Sequence, residues 1–135
     1  RNDRRIENQQ KKYIGKLSAF CGAVSAGYAC GAAITYMLGG NFNQIANTII
    51  NTLANTSGII CDGAKPSCAA KISSALDAAL LAHTMSMHDD VFHADEGIVK
   101  DDLEKTIRAV GYIGREGMKS TDIEVLNIMI DKVCP

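Results

Sequence analysis

Small and aliphatic residues recur every three to four positions along most of this chain, and the apolar–polar alternation of a half-buried strand is sustained nowhere. The pattern predicts an all-α fold, a compact helical domain around one buried small-residue helix. That helix is read over Tyr13 to Leu38, where Ser18, Gly22, Ala26 and Cys30 form one row of small side chains and Ala23, Gly27 and Gly31 the neighbouring row. Such rows let other helices approach closely. The run also meets the length test for a transmembrane helix, but Leu, Ile and Phe are sparse in it and no second span exists, so a central helix of a bundle is the preferred reading. Gly39-Gly40 ends the helix, and Asn41 with Gln44 is a capping-box variant that opens the next, over 42–56. Ile45, Ile49, Ile50 and Leu53 share one face of that second helix. The interleaved Asn43, Asn47, Asn51 and Asn55 face water or a polar seam between helices, or else offer amides to a polar ligand.

Pro66 to about Met87 reads as a helix rich in Ala and Leu, and residues 88–99 as a loop or short turn. Asp101 with Glu104 is expected to cap a helix running to about Met118. Thr121 with Glu124 is expected to cap a last one, striped by Ile123, Leu126, Ile130 and Val133. Residues 1–12, RNDRRIENQQKK, are polar apart from Ile6 and read as a solvated helix or frayed end, native or foreign, which leaves 13–135 as the domain proper.

Charge changes this picture in one respect. Between Lys16 and Asp62 no charged residue occurs, so that block is expected to be buried. With 135 residues the chain makes one domain. Its net charge of -1 recommends neither nucleic acid nor an anionic membrane as a partner. Five irregularly spaced cysteines and the lack of a signal-peptide pattern argue for the cytoplasm, where thiols stay reduced. A chain that opens on Arg1 reads as an internal fragment, a cleavage product or a subunit missing its upstream half.

Candidate chemistry concentrates in IICDGAKPSCAA, residues 59–70. Asp62-Gly63 is a turn dipeptide and Pro66 suits a first helical position, so Cys68 falls in the first helical turn, where free N–H groups and the helix dipole favour a thiolate. Cys61 lies just before the turn. With a third thiol, for which Cys21 is the candidate, the site would suit an iron-sulfur cluster or zinc. Buried structural cysteines are an equal alternative, because six intervening residues exceed the usual zinc-ribbon spacing and Cys21 serves as well for core filler. Cys30 is read as structural and Cys134 as a free surface thiol. His83, His88 and His93 with Asp89, Asp90 and Asp95 read as a solvated acidic loop across a helix end. Gly111, Gly114 and Gly117 mark a close helix contact, and Arg115-Glu116 is either a structural ion pair or places an arginine to hold a substrate carboxylate.

Four segments, YIGKLSAFCGAVSAG (13–27), ITYMLGG (34–40), TSGIICDGAKPSCAAK (56–71) and EKTIRAVGYIGREGMKSTD (104–122), closely resemble the C-terminal part of the serine dehydratase-like α-chain family. The short CDGAKPSC segment points to the branch that contains L-cysteine desulfidases and uncharacterised relatives. The resemblance implies β-elimination from a small L-amino acid, giving pyruvate and ammonia, and sulfide when cysteine is the substrate. It implies a four-iron, four-sulfur (4Fe-4S) cluster held by Cys21, Cys61 and Cys68, with one iron left open as a Lewis acid. Lys65, Asp62 and Arg115 are then assigned to the substrate carboxylate or to support of the turn. The family's substrate loop and proton-abstracting residue lie upstream of the matched region, so this chain alone is expected to be inactive and to need that upstream half, in cis or from a partner subunit. Exposed apolar surface should also drive homo-oligomerisation. Two rival readings are a helical interaction or scaffold domain with buried cysteines, and a structural zinc domain.

Overall fold

The structure, a computed structural model, describes residues 18–132. Helices α1 (Gly22–Met37), α2 (Phe42–Thr56) and α3 (Pro66–Met87) each pack against the other two, and α4 (Leu103–Tyr112) packs on α2. A π-helical turn, Ile113–Gly117, joins α4 to α5 (Lys119–Met129). The fold is all-α and compact; among the described residues the only extended pairing is an isolated antiparallel bridge between Phe20 and Ile60.

Why the central helices lie so close is visible at two glycines. A Cβ on Gly27 would stand 2.8 Å from the Ala75 carbonyl oxygen, and one on Gly31 would stand 3.0 Å from the Ala79 Cβ and 3.1 Å from a Thr48 methyl. The row Ala23, Gly27, Gly31 is therefore the face of α1 that meets α3, whose Ala75, Ala78, Ala79 and Ala82 are buried opposite. Tyr28, Val24 and Leu53 fill the interior with Val99 and Val110. Side-chain hydroxyls of Thr48, Thr52 and Thr56 are also buried, each donating to the carbonyl four residues earlier, so burial leaves no hydroxyl unpaired there.

Helix ends follow local chemistry where the sequence carries it. Asn41 and Gln44 form the reciprocal capping box, Pro66 occupies the first turn of α3, and Gly39 takes φ +85° at the end of the α1 turn. Three expectations need correction. The first helix does not extend back through Ser18: residues 19–21 are held extended by hydrogen bonds with 59–61, so α1 begins at Gly22 and Cys21 is its N-cap. The cap of α4 is Asp102, which accepts from the Lys105 N–H, while Asp101 pairs with the Lys105 ammonium. Thr121 and Glu124 form no cap, because α5 grows directly out of the π turn from Lys119.

Burial of the charge-free block also needs correction. Tyr36, Met37, Leu38 and Phe42, at the corner between α1 and α2, are 64–79% exposed. Cys30, read as a structural thiol, is exposed, as is Gly22, so the second row of small residues on α1 faces outward. Ile123, Leu126 and Ile130 are exposed as well. The asparagine row splits: Asn51 is buried and pins the loop, its Nδ2 donating to the Asp90 carbonyl and its Oδ1 accepting from the Phe92 N–H, both at 3.0 Å. No helix among the described residues is long and apolar enough to cross a membrane. The readings placed on residues 1–17, including the start of the first helix at Tyr13, and on Val133 and Cys134 lie outside the described residues.

Candidate functional site

The Phe20–Ile60 bridge brings Cys21 and Cys61 to neighbouring places. The Cys21 N–H donates to the Ile59 carbonyl at 3.2 Å, and the Cys61 N–H donates to the Ala19 carbonyl. After Cys61 the chain turns through Gly63, at φ +93°, and enters α3 at Pro66, so Cys68 stands in the first helical turn with its N–H on the Lys65 carbonyl at 2.8 Å. All three cysteines are free; Cys21 is buried and the other two half-buried. Burial pushes the Cys21 thiol above its ordinary value, the Ala23 amide draws it back, and the neighbouring Cys61 and Cys68 raise it again. Cys30, nine residues along α1 on its exposed face, takes no part.

A cation sits among these thiols that sequence reasoning missed. The Lys71 ammonium donates to the Ile60 carbonyl at 2.9 Å and to the Asp62 carboxylate, on either side of Cys61, and its charge works against the rise of the Cys21 thiol. Its place three residues after Cys68, on the same helical face, was the available signal. Asp62 is also bridged by Lys65 at 3.0 Å, and hydrogen bonds from Lys71 first and Lys65 second hold its carboxyl down from 3.8 to about 2. Lys65 thus supports the turn. Two further ties steady the site: Ser18 Oγ donates to the Gly114 carbonyl in the π turn at 2.6 Å, and the Met129 methyl lies over Gly63.

Arg115 is elsewhere. It pairs with Glu116 at 2.9 Å and lines a cavity of about 580 Å³ with Lys100, Lys105, Arg108, Ala109 and Tyr112, which Lys65 does not reach. The histidines do not converge either: His83 Nδ1 meets Thr35 Oγ1 at 2.9 Å between helices, while His88 bonds the Thr84 carbonyl on its own helix.

Among the described residues no three His, Cys, Asp or Glu side chains gather closely enough to hold a single metal ion. A mononuclear zinc site, with Zn–S bonds of about 2.3 Å, requires that tight gathering. A cluster distributes its thiolates over separate irons and does not require that tight gathering.

The domain is all-α, with Cys21 at the N-cap of α1, Cys68 in the first turn of α3 and Cys61 just before the turn that leads into α3. The sequence model described as serine dehydratase alpha chain matches residues 5–127, and the chain belongs to that family. It is 58% identical over 121 residues to a UPF0597 protein of Treponema denticola, covering 90% of this chain and 28% of the relative. UPF0597 proteins of Finegoldia magna and Lachnoclostridium phytofermentans are 54% and 57% identical over 122 residues, covering 90% of this chain and 29% of each. The chain therefore spans less than a third of the length of these relatives. No solved structure matches it.

Proposed function

We propose that this serine dehydratase-like domain is the cluster-binding part of an iron-sulfur-dependent lyase of the L-cysteine desulfidase or L-serine dehydratase type, working in the cytoplasm. The reaction is β-elimination from a small L-amino acid to pyruvate and ammonia, with sulfide released from cysteine. One observation carries the reading: the Phe20–Ile60 bridge sets Cys21 beside Cys61, and the turn after Cys61 leads to Cys68 on α3, whose Lys71 bonds both neighbours of Cys61. These residues would hold a 4Fe-4S cluster, which when bound supplies an open Lewis-acidic iron for the leaving thiol or hydroxyl.

The chain's own side chains bind and orient. Cys68 lies in the first turn of α3, and the Lys71 ammonium bonds the residues on both sides of Cys61. Lys65, at 43% side-chain exposure, can turn its ammonium to a substrate carboxylate. Arg115 lines a different cavity, so a carboxylate at the thiols favours Lys65. A positioned base for the α-proton is assigned to the remaining part of the polypeptide or to a partner subunit. Apolar surface at Tyr36, Met37, Leu38 and Phe42, and along α3 at Ile72, Leu76 and Leu80, offers that part, or a second copy, a place to pack.

Anaerobic reconstitution with iron and sulfide tests the reading. The expected product is brown, with a broad visible absorption lost in Cys21→Ser, Cys61→Ser and Cys68→Ser but kept in Cys30→Ser. A chain that takes up no iron, or whose three serine variants hold iron as well as the parent does, would sink it.

A further inference from the structure

Resting on the cluster reading above, we infer that Lys71 is a positioning residue that fixes Cys61 against Cys68 and supplies the fixed positive charge of the cluster site. Its ammonium bonds the Ile60 carbonyl at 2.9 Å and the Asp62 carboxylate, the residues on either side of Cys61. Lys71 itself rides on α3 three residues after Cys68, one turn further along the same face. One side chain therefore spans from the helix bearing Cys68 to both flanks of Cys61. Among the described residues, the backbone of 59–61 is otherwise bonded to residues 19–21 and Thr56, and Lys65 at the N-cap of α3 reaches Asp62 from within the turn, so Lys71 is the tie from the body of the helix.

The charge has a separate role. At 25% exposure the Lys71 side chain is half-buried, less screened than Lys65 at 43%, and its hydrogen bonds to Ile60 and Asp62 hold the ammonium beside Cys61. Of the groups it faces, Asp62 is already shared with Lys65, so the ammonium is not fully neutralised by its own partner. A cluster held by three thiolates carries net negative charge, and a reduced one carries more. A neighbouring cation steadies both forms, and the reduced form more.

Three variants separate tie from charge: Lys71→Met removes both, Lys71→Gln keeps a donor without charge, and Lys71→Arg keeps charge and donors. The readouts are the rate of iron loss to a chelator, the midpoint potential of the reconstituted cluster, and the rate at which a maleimide modifies Cys61 in the iron-free chain, with circular dichroism as the folding control. Removing a partner in the outer shell of a metal site typically lowers affinity ~10–100-fold. The expectation is ~10–100-fold faster iron loss and faster Cys61 modification in Lys71→Met, with recovery of both in Lys71→Arg. Lys71→Gln should keep slow Cys61 modification yet show a lower midpoint potential. Parent-like iron loss, potential and Cys61 rate in a folded Lys71→Met chain overturn the inference. If instead the cysteine-to-serine variants keep iron while Cys61 is still unmasked in Lys71→Met, the cluster reading falls and with it the charge role, and the tie alone stands.

Discussion

A single methyl group at Gly27 tests how α1 and α3 are held together and how that contact reaches the thiols. In Gly27→Ala the new carbon would lie 2.8 Å from the Ala75 carbonyl oxygen, 2.9 Å from its Cβ and 3.0 Å from its carbonyl carbon, where ordinary contact begins at 3.4 Å. Two of those three atoms are backbone, so no rotamer change relieves them and the helices must part by about 0.6 Å. Overpacking of this kind costs ~1–3 kcal/mol, against which replacing Gly by Ala inside a helix returns ~1 kcal/mol. Because the clash is with backbone, the upper part of that range, ~2–3 kcal/mol, applies, and the net expectation is a loss of about 1–2 kcal/mol. Gly22→Ala is the control, since no atom lies within 4 Å of its new carbon, and it should be neutral or stabilising by a few tenths of a kcal/mol. Gly31→Ala should fall between them, because its nearest contacts are side-chain atoms at 3.0 and 3.1 Å. Urea titration followed by circular dichroism gives the ranking from the midpoints. Cys21 caps α1 and Cys68 opens α3, so the same splaying should also weaken iron retention. If Gly27→Ala is as stable as the parent, or Gly22→Ala is hurt equally, the close-approach argument is wrong.

Asn51→Ala should cost about 2–3 kcal/mol, because it strands the Asp90 carbonyl and the Phe92 N–H in a partly buried seam; hydrogen exchange should report lost protection at Phe92, and unchanged protection would refute this. Maleimide labelling of the iron-free chain, mapped by mass spectrometry, should modify Cys30 first, then Cys61 and Cys68, and Cys21 last, since Cys21 is buried and its thiol is pushed up; a Cys21 rate matching that of Cys30 would contradict the burial. The depressed Asp62 carboxyl contributes stability that is fully present above pH 3.8 and is lost as pH falls through about 2, so the turn should stay closed to acid until that window; Cys61 labelling with a reagent active at low pH should show opening only there, and opening near pH 5 would be the wrong result.

Much of this molecule was decided within short windows of sequence. The Asn41–Gln44 box, the proline opening of α3 and the glycine turns at 39 and 63 are interactions between residues at most a few positions apart, so the residue types alone specify them. The Asp62-Gly63 dipeptide and Pro66 likewise placed Cys61 and Cys68 on the two sides of one turn. Other features had no local signature. Both rows of small residues on α1 look equivalent in sequence, and only packing against Ala75 and Ala79 made one the contact face and left Gly22 and Cys30 outside. Asp101 and Asp102 are equally good caps, and the choice went to the one whose carboxylate met the Lys105 N–H once the preceding loop was docked, with the Lys100 N–H on Thr106. Cys21 left the helix because its backbone found partners at residues 59–61, some forty positions away. That pairing is a property of the closed fold, and so is the Lys71 ammonium it sets beside the thiols.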